Sequence, residues 1–267
     1  MTILEAIILG IIQGLTEFLP VSSSGHLELG AALLNAYESE PLLFTVAVHA
    51  ATALSTIVVF RKDLANIIRD LLKFRWNDSW DFVTKIAVSL IPIAIVGVFF
   101  EEEVETFFGG RTLLVGCMLL ITALLLSFTY FVRDVKGGPV TYGKAVVIGI
   151  AQTLAIMPGI SRSGSTIATA LLMKVDKEKA TRFSFLMVLI PILGASALKL
   201  KDYIEAPAGE FDNIAGMPLL VGFLAAFVAG LAACQWMIKI VKRGKLIWFA
   251  VYCAIVGTVA ILVSLFG

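Results

Sequence analysis

The side chains in this sequence with the means to do chemistry gather at two short polar runs. Glu17 and His26 flank Pro20-Val21-Ser22-Ser23-Ser24-Gly25, and Arg162 stands inside Pro158-Gly159-Ile160-Ser161-Arg162-Ser163-Gly164. With Ser165 and Thr166, the runs bring seven hydroxyls together with residues of both charge signs. Ser22–Gly25 and Ser161–Gly164 each read as the opening of a short helix. The free N–H groups and positive dipole end of such an opening attract phosphate or carboxylate. Arg162 adds a planar fork suited to bidentate phosphate binding. Gly159–Thr166 has the spacing of a phosphate-binding loop, with Ser165 where lysine would stand. Glu17 follows Gln13 by four residues, so both share one helix face. A carboxylate beside a phosphate site either takes a proton from a nucleophile or holds Mg²⁺ or Ca²⁺ against the phosphate. Ser23 is a candidate nucleophile, and His26 a candidate acid, base or alternative nucleophile.

The elements that must position these residues are membrane helices. Of 267 residues, 59% are apolar and only 15% charged, and the mean hydropathy is +0.95. Soluble domains are nearer 45–50% apolar and about 25% charged. Disorder is excluded by the same composition, and a net charge of +1 excludes a soluble nucleic-acid binder. Cys117, Cys234 and Cys253 sit in apolar runs without a CxxC pattern and read as small buried hydrophobes. The first basic residue is Arg61, so no basic stretch marks a cleaved signal peptide.

Six segments reach the roughly 20 apolar residues that a span requires: 42–60, 82–100, 111–132, 183–200, 217–240 and 246–266. Residues 2–34 and 143–173 are apolar too, but the two polar runs break them in the middle. Their shorter halves, at about 1.5 Å per residue, reach only ~20 Å, short of a core about 30 Å thick. Both are therefore expected to be re-entrant hairpins with the break at membrane depth. Sixteen basic residues fall in four loops, from Arg61 through Arg133 and Lys136 to Lys245. The alternate loops hold only Arg111, Lys199 and Lys201, beside acidic residues such as Glu38, Glu40, Glu101, Glu102, Glu105, Glu210 and Asp212. The positive-inside rule makes the basic loops cytoplasmic. The first hairpin then enters from outside, the second from the cytoplasm, and both termini are external.

A shift of 139 residues lays Gly10, Gln13 and Leu15 on Gly149, Gln152 and Leu154, and Ser22-x-Ser24-Gly25 on Ser161-x-Ser163-Gly164. The same shift lays Phe44-Thr45 on Phe183-Ser184. The expected architecture is a single all-α polytopic membrane domain of two inverted-topology repeats, 1–137 and 138–267, each a hairpin plus three transmembrane helices. Such folds place a site near the midplane where the broken helices meet. Gly10-x-x-x-Gly14 and the glycines at 222 and 230 are expected to allow close helix approach.

The run Gln13-Gly14-Leu15-Thr16-Glu17-Phe18-Leu19-Pro20-Val21-Ser22-Ser23-Ser24-Gly25-His26 resembles the first signature of the bacterial undecaprenyl-diphosphatases, the bacitracin-resistance family. Pro158-Gly159-Ile160-Ser161-Arg162-Ser163-Gly164-Ser165-Thr166 resembles the second. The resemblance implies hydrolysis of undecaprenyl diphosphate to undecaprenyl phosphate and phosphate, which recycles the lipid carrier of cell-wall synthesis and confers bacitracin resistance. It implies a multi-pass protein of the bacterial inner membrane, a site facing the outer side, a divalent cation and a homodimer. Glu17, Ser22, Ser23, His26, Ser161 and Arg162 occupy the family's functional positions. Glu17, Ser23, His26 and Arg162 are the expected catalytic set. Ser22, Ser24, Ser161, Ser163 and Thr166 are the expected phosphate contacts. The family's first motif allows Glu or Gln at its opening position, and Gln13 there leaves Glu17 as the motif's one carboxylate, with the Gln13 carbonyl oxygen as a further candidate ligand for Mg²⁺ or Ca²⁺. The competing expectation is a lipid-phosphate flippase or secondary transporter with a midplane anion site.

Overall fold

The computed structural model describes residues 1–34, 42–100, 103–104, 106–107, 111–132, 137–205 and 216–266. The loop residues Glu38, Glu40, Glu101, Glu102, Glu105, Glu210 and Asp212, and the basic Arg133 and Lys136, lie outside that set. Among the described residues the protein is helical throughout. A lone bridge pairs Gly138 with Val175, tying the start of the second hairpin region to its end.

The first hairpin is α1 (Ile3–Phe18) and α2 (Ser23–Leu33). A capping box starts α1: Thr2 Oγ1 accepts from the Glu5 N–H, and Glu5 Oε2 accepts from the Thr2 N–H. Leu19 is extended, as a residue before proline must be, and Pro20 ends the helix. After the first hairpin come α3 (Leu42–Val59), α4 (Arg61–Leu71), α5 (Asp78–Phe99) and α6 (Thr112–Phe128). The second hairpin is α7 (Tyr142–Leu154) and α8 (Arg162–Leu172), followed by α9 (Lys177–Glu205), α10 (Gly216–Lys242) and α11 (Ile247–Phe266). The helices α5, α6, α9, α10 and α11 are long and apolar enough to cross a bilayer, and α3 with the bent α4 makes a sixth candidate. None of the four hairpin helices is; α8, with 11 residues, spans only ~16 Å.

The surfaces of the long helices explain the apolar excess. Ile91, Ile95, Leu124, Leu220, Val228, Ile255 and Val259 are all exposed. Water would expel such a surface, whereas lipid tails solvate it, so the chain is a multi-pass membrane protein.

Three details depart from expectation. The basic stretch after the first span is not simply loop, because Arg61–Leu71 forms the amphipathic α4, bent 77° from α3. Arg182 of α9 grips its Asp63 through Nε (2.5 Å) and Nη2 (2.8 Å) and lies over the Phe82 ring of α5 at 4.1 Å. The span expected at 183–200 belongs to a longer helix, Lys177–Glu205. Cys234 and Cys253 are buried, but Cys117 is exposed on the outer face of α6, where it meets lipid rather than core.

Glycine sets how closely the hairpins can pack. α1 runs along α10, and a Cβ on Gly14 would lie 2.5 Å from the Ala226 carbonyl oxygen and 2.9 Å from the Gly230 nitrogen. Gly149, the residue that the 139-residue shift lays on Gly10, meets the Ser89 carbonyl of α5 in the same way.

Candidate active site

The two polar breaks meet. Ser22 and Ser161 cap their helices alike: Ser22 Oγ accepts from the Gly25 N–H (3.3 Å), and Ser161 Oγ from the Gly164 N–H (3.0 Å). Ser22 Oγ also accepts from the Gly159 N–H of the other break at 3.1 Å. Ser163 Oγ returns the contact by donating to the Leu19 carbonyl at 3.1 Å. Thr122 of α6 staples the second break from behind, donating to the Gly159 carbonyl and accepting from the Ser161 N–H, both at 3.0 Å. Gly159 has φ +98°, and a Cβ there would sit 2.5 Å from the Val115 carbonyl oxygen, so both backbone angle and space demand glycine. Ser22 holds φ 72° without being glycine, a strained angle that its three-way hydrogen bonding maintains.

Glu17 lies at the junction, its side chain only 6% exposed. Its Oε2 accepts from Ser23 Oγ–H at 2.6 Å and from Gln13 Nε2–H at 3.0 Å. Its Oε1 accepts from Arg162 Nη2 at 3.4 Å. His49 Nε2 of α3 lies 4.0 Å from Oε2. A carboxylate held against a serine hydroxyl is the arrangement of a general base with its nucleophile. The Arg162 guanidinium places a partly exposed cation beside that carboxylate, and only one of its five N–H donors is used there.

His26 is placed differently. Its Nδ1 donates to the Ser22 carbonyl at 2.8 Å, and its Nε2 is hydrogen-bonded to the Tyr252 hydroxyl of α11, also at 2.8 Å. The two rings stack 5.6 Å apart at 15°. Both ring nitrogens are thus engaged away from Glu17.

The expected phosphate contacts separate into two groups. Ser22 and Ser161 are 2% and 1% exposed, and their oxygens serve the backbone of the tips. Thr166 is equally buried, with its hydroxyl proton given to the Arg162 carbonyl. Ser23, Ser24, Arg162 and Ser163 are partly exposed at the mouth. Four residues that sequence reasoning did not assign to the site also come in: Tyr252 on His26, and Thr52, Thr56 and Ser184 on the cavity beside Glu17. His49, of the same helix as Thr52 and Thr56, also reaches this side of Glu17.

The donor set bears on a divalent cation. Among the described residues no cluster of three His, Cys, Asp or Glu surrounds Glu17. Mg²⁺, however, is commonly held by one or two carboxylates together with substrate phosphates. Glu17 and the buried Gln13 Oε1, which has no hydrogen-bond partner, fit that shared mode and not a closed protein cage.

Comparison with known proteins identifies the family. The family model described as bacitracin resistance protein BacA matches residues 6–259. A protein of Bacteroides fragilis named undecaprenyl-diphosphatase is 54% identical over 262 residues, covering 97% of each chain. One of Bacteroides thetaiotaomicron with the same name is 52% identical over 267 residues, covering 99% of this chain and 100% of its own. One of Korarchaeum cryptofilum, also so named, is 41% identical over 266 residues, covering 96% and 97%. With the family model spanning nearly the whole sequence and relatives this similar along their full lengths, the chain belongs to the BacA family of bacitracin resistance proteins.

Proposed function

We propose that this chain is an integral membrane phosphatase that hydrolyses undecaprenyl diphosphate to undecaprenyl phosphate and inorganic phosphate. The observation that carries the mechanism is the 2.6 Å hydrogen bond from Ser23 Oγ–H to Glu17 Oε2, with Arg162 on the same carboxylate. In the first step Ser23 Oγ forms a bond to the terminal phosphorus while its proton passes to Glu17. The bridging P–O bond breaks, and its electron pair leaves on the oxygen of the prenyl monophosphate, which takes the proton from Glu17. In the second step water bonds to the phosphoserine phosphorus, the bond to Ser23 Oγ breaks, and a proton returns to Ser23 through Glu17. Arg162 and the free N–H groups opening α2 and α8 neutralise the charge on the equatorial oxygens. His26, held by Ser22 and Tyr252, fixes the first turn of α2 and so the direction of Ser23.

Glu17, with Gln13 Oε1, would hold a Mg²⁺ or Ca²⁺ against the diphosphate. When bound, the ion supplies further charge neutralisation at the phosphates. Ser24 at the mouth is the direct phosphate contact, while Ser22, Ser161, Ser163 and Thr166 shape the loops that offer their N–H groups. The 16 basic residues of four alternate loops support two halves, 1–137 and 138–267, inverted relative to each other, and the family likeness supports the plasma membrane and a site open to the outer side. Exposed apolar helix faces leave room for a homodimer in the bilayer.

The test is phosphate release by purified protein in detergent, with no sealed compartment, from a prenyl diphosphate labelled in its terminal phosphate. The wild type should release phosphate and carry acid-stable ³²P on Ser23, and Ser23→Ala should do neither. A transporter would release none in this format. Wild-type turnover retained by Ser23→Ala, with no label on the protein, would overturn the serine route.

A further inference from the structure

Beside Glu17, on the side of α3 and α9, lies a cavity with room for about one water molecule. Glu17, Arg162, Ser163, Thr166, Thr52, Thr56 and Ser184 line it, and Phe18, Phe185, Val188 and Ile192 give it an apolar side. Its hydroxyls are not equivalent. Thr52 gives its proton to the His49 carbonyl (2.8 Å), Thr56 to the Thr52 carbonyl (3.2 Å) and Thr166 to the Arg162 carbonyl (2.9 Å). These three turn only lone pairs toward the cavity. Ser184 is 3% exposed, and its Oγ has no hydrogen-bond partner among the described residues. A helical serine ordinarily bonds back to its own helix, so this hydroxyl keeps its proton for a partner in the cavity.

The ligand chemistry follows from the lining. Away from Arg162 the hydroxyls of this lining offer a phosphate mostly acceptors. A water molecule can donate to Glu17 and to a threonine oxygen, and accept from Ser184 Oγ–H or Arg162. We propose that Ser184 is a positioning residue that holds the hydrolytic water against Glu17. The inference rests on the phosphatase reading above and assigns the water of its second step. That water gives its oxygen to the phosphorus of phosphoserine 23 and one proton to Glu17, and the electron pair of the broken P–O bond returns to Ser23 Oγ, which takes that proton. The apolar side offers water no other partner, so a molecule held by Ser184 and Glu17 arrives oriented. The 139-residue shift pairs Ser184 with Thr45, yet only the second copy faces the cavity beside Glu17.

The experiment compares wild type, Ser184→Ala and Ser184→Thr in detergent, with prenyl diphosphate labelled in the terminal phosphate. For Ser184→Ala, loss of one hydrogen bond to the attacking water should lower kcat roughly tenfold with KM within about twofold. The share of protein carrying ³²P at steady state should rise, because dephosphorylation has become the slow step. Ser184→Thr keeps the hydroxyl and should recover part of kcat. If Ser184→Ala does not elute as a single detergent-solubilised species, Ser184→Cys, of similar volume and weaker donor strength, takes its place. Three results would each overturn the proposal: kcat within about twofold of wild type, a loss confined to KM, or a loss of kcat without added label. Failure of the wild type itself to release phosphate would sink the phosphatase reading instead.

Discussion

Replacing Glu17 by glutamine separates chemistry from packing at the centre of the site. The substitution conserves shape and removes one negative charge. Glu17 Oε2 receives the Ser23 proton donor at 2.6 Å, so an amide there leaves Ser23 without a base. A positioned general base contributes about 10²–10⁴ in rate, so kcat should fall by that range, or about 2.7–5.4 kcal/mol in activation free energy. Packing should suffer far less. One oxygen of the new amide can still accept from Ser23 or Arg162, and its NH₂ needs an acceptor. Gln13, now donating Nε2 to Glu17 at 3.0 Å, has a buried and unpartnered Oε1 that a turn of its own amide would supply. The net cost is then one charge-assisted hydrogen bond weakened, on the order of 1 kcal/mol. KM should rise as well, because the carboxylate that would hold the divalent cation against the diphosphate is gone. The assay is initial-rate phosphate release across substrate concentrations in detergent, beside thermal unfolding of the same preparations. A kcat within about tenfold of wild type would refute the base assignment. A collapse of thermal stability parallel to the loss of kcat would refute the separation of roles.

Three further outcomes are expected. Arg162→Lys keeps the charge but loses the fork, and kcat/KM should drop at least about tenfold, for a loss of ~1.5–3 kcal/mol; steady-state kinetics reads it directly. Chelation should abolish turnover yet leave the thermal unfolding of substrate-free protein unchanged, because the cation is held jointly with the diphosphate and one carboxylate cannot retain it alone. Gly159→Ala forces a side chain into φ +98° and against the Val115 carbonyl oxygen, so it should lower stability by about 1–3 kcal/mol and cut activity by shifting the second tip; detergent melting curves check the first part.

The features legible in the sequence were those that break a pattern. Pro20 and Pro158 with their serines interrupt apolar runs, and the structure ends α1 and opens α2 and α8 at those points. Glu17 and Arg162 stood out because a bilayer makes ionisable residues costly, and they lie 3.4 Å apart. The residues that escaped notice were those that conform to the ordinary pattern. Thr52 and Thr56 bond back to their own helix, as most hydroxyls in membrane helices do, and nothing in their sequence neighbourhood tells which face meets a cavity. Tyr252 is one aromatic among many in an apolar span, and only the distant packing of α11 brings it to His26. The amphipathic α4 was masked by its charges: Leu64, Ile67 and Leu71 keep the helical period, but Arg61, Lys62, Asp63 and Arg69 make the stretch read as loop. Cys117 was misplaced because an outward-facing position in lipid carries the same apolar composition as a core.

The bond between Ser22 Oγ and the Gly159 N–H spans 137 residues of chain, and that distance has a meaning in time. A ribosome adding about 5–20 residues per second delivers Gly159 on the order of 10 s after Ser22. Throughout that interval the first tip lacks the partners that satisfy its polar groups, and lipid offers no substitute. The first hairpin therefore cannot settle at its final depth as it leaves the insertion machinery. It must wait near the interface, wetted by water, until the second half has been threaded and the two tips can meet from opposite faces. Assembly of the catalytic centre and completion of the membrane fold are then a single late event, and chains stopped short of Gly159 should leave a cysteine placed at Ser24 open to a water-soluble thiol reagent.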